Sequence, residues 1–277
     1  MIPQYENQVM SNALLYVDNK ICTKGQAYTN HSGLFYPARV NKYKNYYSYS
    51  SPFKQLVNDR SISGANILSG VYVGSTFTTG NLHVNHYEGQ VHFNSSQGSN
   101  KISGNYAIKD FSVAMTSKSE TDILFETKYK LKPKVNQTIT GLSYNQETYP
   151  IVYLKNMGGN NKPFAFGGQD MTSTNVRAIV LSDSAYKLDA VCSILKDTQN
   201  DGFKIIENSN LPFGALGLAP TGAYNYTGLQ GSSTNSHIFI KETNVTNNIP
   251  KITENVSAPI HAGFVDFKFE SVRQPRS

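Results

Sequence analysis

Residues 176–196 read VRAIVLSDSAYKLDAVCSILK, and this stretch decides the fold. Val176 to Leu181 is an apolar, β-branched run with the length of a buried strand. Ser182, Asp183 and Ser184 follow as helix-capping candidates. From there Leu188, Val191, Cys192 and Leu195 fall at i, i+3, i+4 and i+7, so a helix over Asp183 to Lys196 carries one apolar stripe. A strand that runs straight into an amphipathic helix predicts a helix lying on a sheet.

Outward from that unit the punctuation is that of strands and turns. Upstream, Tyr149 to Leu154 reads as a short strand, Gly158-Gly159-Asn160-Asn161 as a turn, and Phe164 to Phe166 leads into Gly167-Gly168. Downstream, the turn Gln199 to Gly202 precedes a strand at Phe203 to Ile206, and a Gly-rich loop spans Pro212 to Ser236. His237 to Lys241 and His261 to Val272 supply the last strands; in the latter, Val265, Phe267 and Phe269 alternate with Asp266, Lys268 and Glu270. In the first half, Gly70 to Gly74 is a short strand, Leu82 to Phe93 a hairpin turning at Glu88-Gly89, and Tyr106 to Met115 and Ile123 to Leu131 are further strands. The first sixty residues lack periodic apolar positions and read as an extended arm. The expected organisation is therefore an irregular N-terminal arm over 1–60 and one domain over 61–277 with hairpin insertions. Its class is α+β, mainly antiparallel, with one principal amphipathic helix packed on a sheet.

Composition agrees. The 277 residues include 18 Tyr, 14 Phe and 21 Gly, only 16% are charged, and about a tenth are Asn. Aromatic and β-branched residues suit pleated surfaces and Asn and Gly suit turns, which excludes an all-helical fold. No apolar stretch approaches the roughly 20 residues that span a bilayer, and the N-terminal residues lack a secretory pattern, so no membrane contact is expected. Twenty-five Lys and Arg against 19 Asp and Glu give +6, a balance that allows proximity to nucleic acid without demanding it. Cys22 and Cys192 read as two free thiols.

Candidate functional residues are few. Nucleophile elbows, zinc-protease helices, phosphate loops and dinucleotide fingerprints are absent from the sequence, so neither catalysis nor a cofactor is expected. With a two-residue loop, Tyr87 opposes Gln90 and His92 opposes Asn85, so His83, His86 and His92 do not converge on a metal. Tyr43, Tyr46, Tyr47 and Tyr49 form a Tyr-Ser cluster of the kind that supplies binding surfaces; alternatively, these rings lie over the protein's own sheet. Lys128, Lys130, Lys132 and Lys134 share one face of their strand, as charges guarding a sheet edge or as contacts for an acidic partner or phosphates. Met1 to Asp59 and Pro212 to Ser236 are expected to reach across to neighbouring subunits.

Two groups of residues carry a resemblance. The run Ser69-Gly70-Val71-Tyr72-Val73-Gly74, followed by His86-Tyr87-Glu88-Gly89-Gln90-Val91-His92-Phe93, resembles a strand-and-hairpin pattern common in structural proteins of tailed bacteriophages, with His86 where that pattern has Asp. Tyr149-Pro150-Ile151-Val152, Phe164-Ala165-Phe166-Gly167-Gly168 and the strand and helix over Val176 to Lys196 are similar to neck and tail-terminator proteins. The resemblance implies a virion component assembled in the host cytoplasm. Its partners would be itself in a ring, six-fold as first choice, together with connector, tail-tube or sheath proteins, close to packaged DNA. It implies no catalytic residues. A fibre or baseplate module that binds a glycan through the Tyr-Ser region is the alternative.

Overall fold

Val176 to Leu181 lies at the centre of a sheet, as its pattern requires. The computed structural model describes residues 4–43, 46–124, 149–165, 168–213, 221–233, 236–247 and 260–274. In chain order the elements are helix α1 (Tyr5–Gly25), strands β1 (Tyr28–Tyr43), β2 (Tyr46–Ser50), β3 (Val71–Val73), β4 (Thr76–Thr78), β5 (Leu82–Asn85), β6 (Gln90–Phe93), β7 (Ile102–Lys109), β8 (Ser112–Met115), β9 (Ile151–Ala165) and β10 (Gln169–Ser182), helix α2 (Ala185–Lys196), strand β11 (Gly202–Lys204), helix α3 (Tyr226–Ser232), and strands β12 (His237–Asn247) and β13 (His261–Arg273). The class is α+β and mostly antiparallel. One sheet has the order β4-β3-β7-β1-β2-β6-β5, the other β11-β12-β13-β10-β9-β8. Only the β8–β9 pair is parallel among the described strands.

The second sheet is built around the decisive stretch. β10 pairs with β13 from Asp170 opposite Arg273 to Ser182 opposite His261, and with β9 on its other side. Val176, Ala178 and Val180 face one core together with Val265, Phe267 and Phe269, while Ile179 and Leu181 face another with Ala262 and Phe264. That is why the run is continuously apolar: the period-two alternation is present, but both faces are covered at this end. α2 packs its predicted stripe on the sheet, with Leu188, Val191, Cys192 and Leu195 all buried. Ser184 is its N-cap by backbone conformation, without a side-chain capping bond.

Residues 1–60 depart furthest from expectation, since they are not an arm. α1 is 21 residues long and buries Val9, Met10, Asn12, Ala13, Leu14, Leu15, Tyr16, Val17, Asp18, Ile21 and Cys22. Burial on nearly every side erases the single apolar stripe by which a surface helix is recognised. Its buried polar groups are bonded: Asn12 Oδ1 accepts from Ile206 N at 2.9 Å, and Asn12 Nδ2 donates to Gln8 O at 2.9 Å. Asp18 accepts both of its bonds from Lys109 Nζ, at 2.7 Å each. The helix therefore sits inside the main core, where each fully buried Leu or Val side chain contributes roughly 1.5–3 kcal/mol.

Other strand boundaries shift for local reasons. The expected single strand Tyr106 to Met115 is two, because the chain turns at Asp110-Phe111 and passes from the first sheet (β7) to the second (β8). The expected turn at Gly158-Gly159 is a bulge inside the continuous strand β9, between the pairs Asn156–Val176 and Gly159–Thr174. Gly158 there has φ +84°, and a Cβ on Gly159 would collide with the Ser173 carbonyl, so the two glycines serve the bulge. Ile123 and Leu124 belong to a helical turn at 120–124, not to a strand. The Gly-rich segment after Pro212 contains α3, and among its described residues Tyr224 and Tyr226 are buried in the main core of the same chain.

Candidate functional site

The hairpin β5–β6 carries the densest set of unusual side chains. Its register is Asn85 opposite Gln90, Val84 opposite Val91, His83 opposite His92 and Leu82 opposite Phe93. The connection is therefore the four residues His86 to Gly89, not two, and every pair moves by two positions from the expected register. This corrects the histidine reading, because His83 and His92 now face each other across the two strands. Gly89 explains the longer loop: it has φ +65°, and a Cβ would collide with the Phe53 carbonyl, so the chain makes a left-handed step there that favours glycine.

β2 extends the line, with Ser48 opposite His92. His92 Nδ1 and Ser48 Oγ are 2.8 Å apart, and Tyr46 packs edge-on against His83, with ring centroids 5.7 Å apart and planes at 71°. Burial pulls the pKa of His92 below its usual value, and the neighbouring His83 adds to the effect. His83 is exposed and His92 half-buried.

His86 does a different task. Its Nδ1 lies 3.1 Å from the Thr221 carbonyl and its Nε2 3.2 Å from the Leu68 carbonyl, while Leu56 N donates to the His86 carbonyl at 2.8 Å. A neutral imidazole carries one N–H, so the ring donates to one of these carbonyls at a time, between the start of the Ser69 to Gly74 segment and the head of the His86 to Phe93 segment. An ionised Asp, which only accepts hydrogen bonds, could donate to neither carbonyl. Burial pulls the His86 pKa down, opposed by the two carbonyls.

The predicted tyrosine cluster divides. Tyr49 is buried, packed edge-on against Phe93 at 5.8 Å, and Tyr47 packs against the core of the first sheet. Tyr46 remains exposed, and Tyr43 pairs with Tyr46 at the end of the β1–β2 ribbon. Two of the four rings therefore serve their own sheet. Lys128, Lys130, Lys132 and Lys134 lie outside the described residues.

Sequence reasoning missed the exposed apolar groups, because which side of each strand is covered is decided by the assembled sheets. On the first sheet, Tyr72 and Phe77 pack together at 5.1 Å on the β3–β4 edge, with Phe77 51% exposed. On β9 of the second sheet, Met157 and Phe164 (57%) are exposed. Phe239, 54% exposed, stacks on His237 at 4.8 Å and, with Met171 and Val272, lines a groove of about 290 Å³. Also unforeseen is the clamp on the second sheet's outer face: Arg177 Nε and Nη2 donate to Asp266 at 2.6 and 2.8 Å, and Nη1 donates to Glu120 at 2.8 Å. The Asp266 bonds, followed by the Glu120 bond, raise the Arg177 pKa despite some desolvation. Residues distant in sequence make this contact, so no local spacing signals it.

Cys22 and Cys192 are free and buried, and burial pushes both thiols up to about 12. No helix among the described residues is long and apolar enough to cross a membrane. No protein-family model matches the chain, and no curated protein is significantly similar to it.

Proposed function

We propose that the chain is a structural subunit of a tailed-bacteriophage particle, a ring-forming neck or tail-terminator component that joins head and tail. It would assemble in the host cytoplasm, contact further copies of itself in a six-fold ring, and meet connector, tail-tube or sheath proteins, with packaged DNA nearby. One observation carries the reading beyond the sequence resemblance. The chain exposes two unlike apolar sites on different sheets, the packed pair Tyr72 and Phe77 on the β3–β4 edge and the single ring of Phe164 near the end of β9. Exposed aromatic groups of this kind mark contact sites, and a ring is closed by a head-to-tail contact between two different patches of the same subunit. The burial of Tyr49 and half-burial of Tyr47 remove much of the surface on which the glycan-binding alternative depends.

Sedimentation velocity of the full chain tests the assignment of the patches. Six copies of the 30.6 kDa chain are expected in the largest species, and Phe77→Lys or Phe164→Lys each reduces it to monomer. Mixing the two variants restores one intact contact and stops at a heterodimer. Assembly unaffected by either change would reject these patches as the ring contact.

A further inference from the structure

We propose that the cross-strand pair His83 and His92 is a binding site for one divalent transition-metal ion of the imidazole-preferring class, such as Zn²⁺ or Ni²⁺. Three observations lead there. First, the two residues are registered directly opposite each other in β5 and β6, which sets their Cβ atoms about 4.5–5.5 Å apart on one face. Two imidazoles at that spacing can direct one nitrogen each toward a common ion, for which the ordinary Zn–N distance is about 2.0–2.1 Å. Second, the next residue in the line fixes the chemistry of one ligand. Ser48 is buried, and the tautomer in which His92 Nδ1–H donates to Ser48 Oγ across 2.8 Å leaves the Nε2 lone pair for a metal. A hydrogen bond to the far nitrogen of this sort is the usual way a ligating imidazole is oriented. Third, the edge-on Tyr46 ring restrains His83, and the exposure of His83 leaves an entry path from solvent.

No cluster of three His, Cys, Asp or Glu side chains able to hold a metal occurs among the described residues, so this site supplies two protein ligands. Water, or a group from a neighbouring molecule, completes the coordination. Two nitrogen donors without thiolate or carboxylate favour Zn²⁺, Ni²⁺ and Cu²⁺ over Mg²⁺ or Ca²⁺. Both imidazoles must be neutral to bind, so affinity falls as pH drops through the histidine range.

The test uses the full chain with NiCl₂ and ZnCl₂ as probes, by isothermal titration and by the thermal unfolding midpoint at pH 7.5 and 5.5. One ion per chain is expected at pH 7.5, with the midpoint raised as metal exceeds the dissociation constant; a 100-fold excess over that constant shifts the unfolding equilibrium about 100-fold. Both effects are expected to vanish at pH 5.5, and MgCl₂ to give neither. His83→Gln, at an exposed position, should fold normally and lower affinity at least tenfold. Ser48→Ala should lower it by about 10- to 100-fold, as loss of an orienting partner does. His237→Gln, another exposed histidine, should leave binding unchanged. Binding weaker than millimolar, or equal affinity in wild type and His83→Gln, would overturn the proposal.

Discussion

Replacing Lys109 with Met should destabilise the protein more than almost any other single substitution at a polar position. Lys109 and Asp18 are each about 5% exposed, and Lys109 Nζ donates to both carboxylate oxygens at 2.7 Å. The pair ties α1 to the end of β7, just before the chain crosses between sheets. Lys109→Met fills a similar volume but leaves a buried carboxylate without its cation, and breaking a buried pair from one side costs about 3–5 kcal/mol. Against a total stability of about 5–15 kcal/mol, that is a large share. For a chain of this size each kcal/mol moves the melting temperature by about 2 °C, so a fall of about 6–10 °C is expected. Urea unfolding followed by circular dichroism at pH 7.5 measures it directly. The double variant Asp18→Leu with Lys109→Met should recover most of the loss, because no charge is then stranded. A loss under about 1 kcal/mol for Lys109→Met would show that the pair is solvated, and α1 would then not be seated in the core as described.

Further outcomes follow from single positions. Gly89→Ala should cost about 1–3 kcal/mol in urea unfolding, since it adds a collision with the Phe53 carbonyl to an unfavourable φ of +65°, whereas Gly98→Ala, at a positive φ with open space around it, should cost only about 1 kcal/mol. The folded-state pKa of His86 lies below its unfolded value of about 6.5, so the unfolded chain binds the proton more readily and stability falls as pH drops from about 6.5 toward the folded value. Urea midpoints at pH 5.0, 6.0 and 7.5 should fall in that order of acidity, and His86→Gln should flatten the slope; an unchanged slope would remove His86 as its source. Cys22 and Cys192 should not react with a thiol reagent at pH 8 in the native protein, and both should react after unfolding, because burial pushes each thiol up to about 12; fast labelling of either in native buffer would contradict its burial.

How much of this was legible follows from how local each signal is. The strand and helix over 176–196 were readable because the β10 run and the α2 stripe each repeat a simple period within a few residues. β13 was readable for the same reason, with Val265, Phe267 and Phe269 inward. α1 was not, because a helix enclosed on nearly all sides shows no stripe, and its Asn12 and Asp18 look like surface residues until Ile206 and Lys109 are brought to them by the fold. The break between β7 and β8 was hidden because both halves are strands and only their sheets differ. The histidine pair was lost through one turn length: a hairpin of two loop residues separates His83 from His92, and one of four opposes them. Local composition around Glu88-Gly89 suits either, and what selects the longer loop is the close approach of Gly89 to Phe53, a contact between residues 36 positions apart. The exposed patches at Phe77 and Phe164 are likewise set by which strands end as edges, a property of the assembled sheets.

The measurement that most directly tests the proposal of a ring subunit in a tailed particle is electron cryomicroscopy of purified tailed particles from cells that make this chain. A closed ring of copies around the tail axis at the head-to-tail junction or tail end is predicted, with the β3–β4 edge of each subunit against β9 of the next. Finding the chain in peripheral fibres, or finding its copies on the particle without contact between the Tyr72–Phe77 pair and Phe164, would contradict the account.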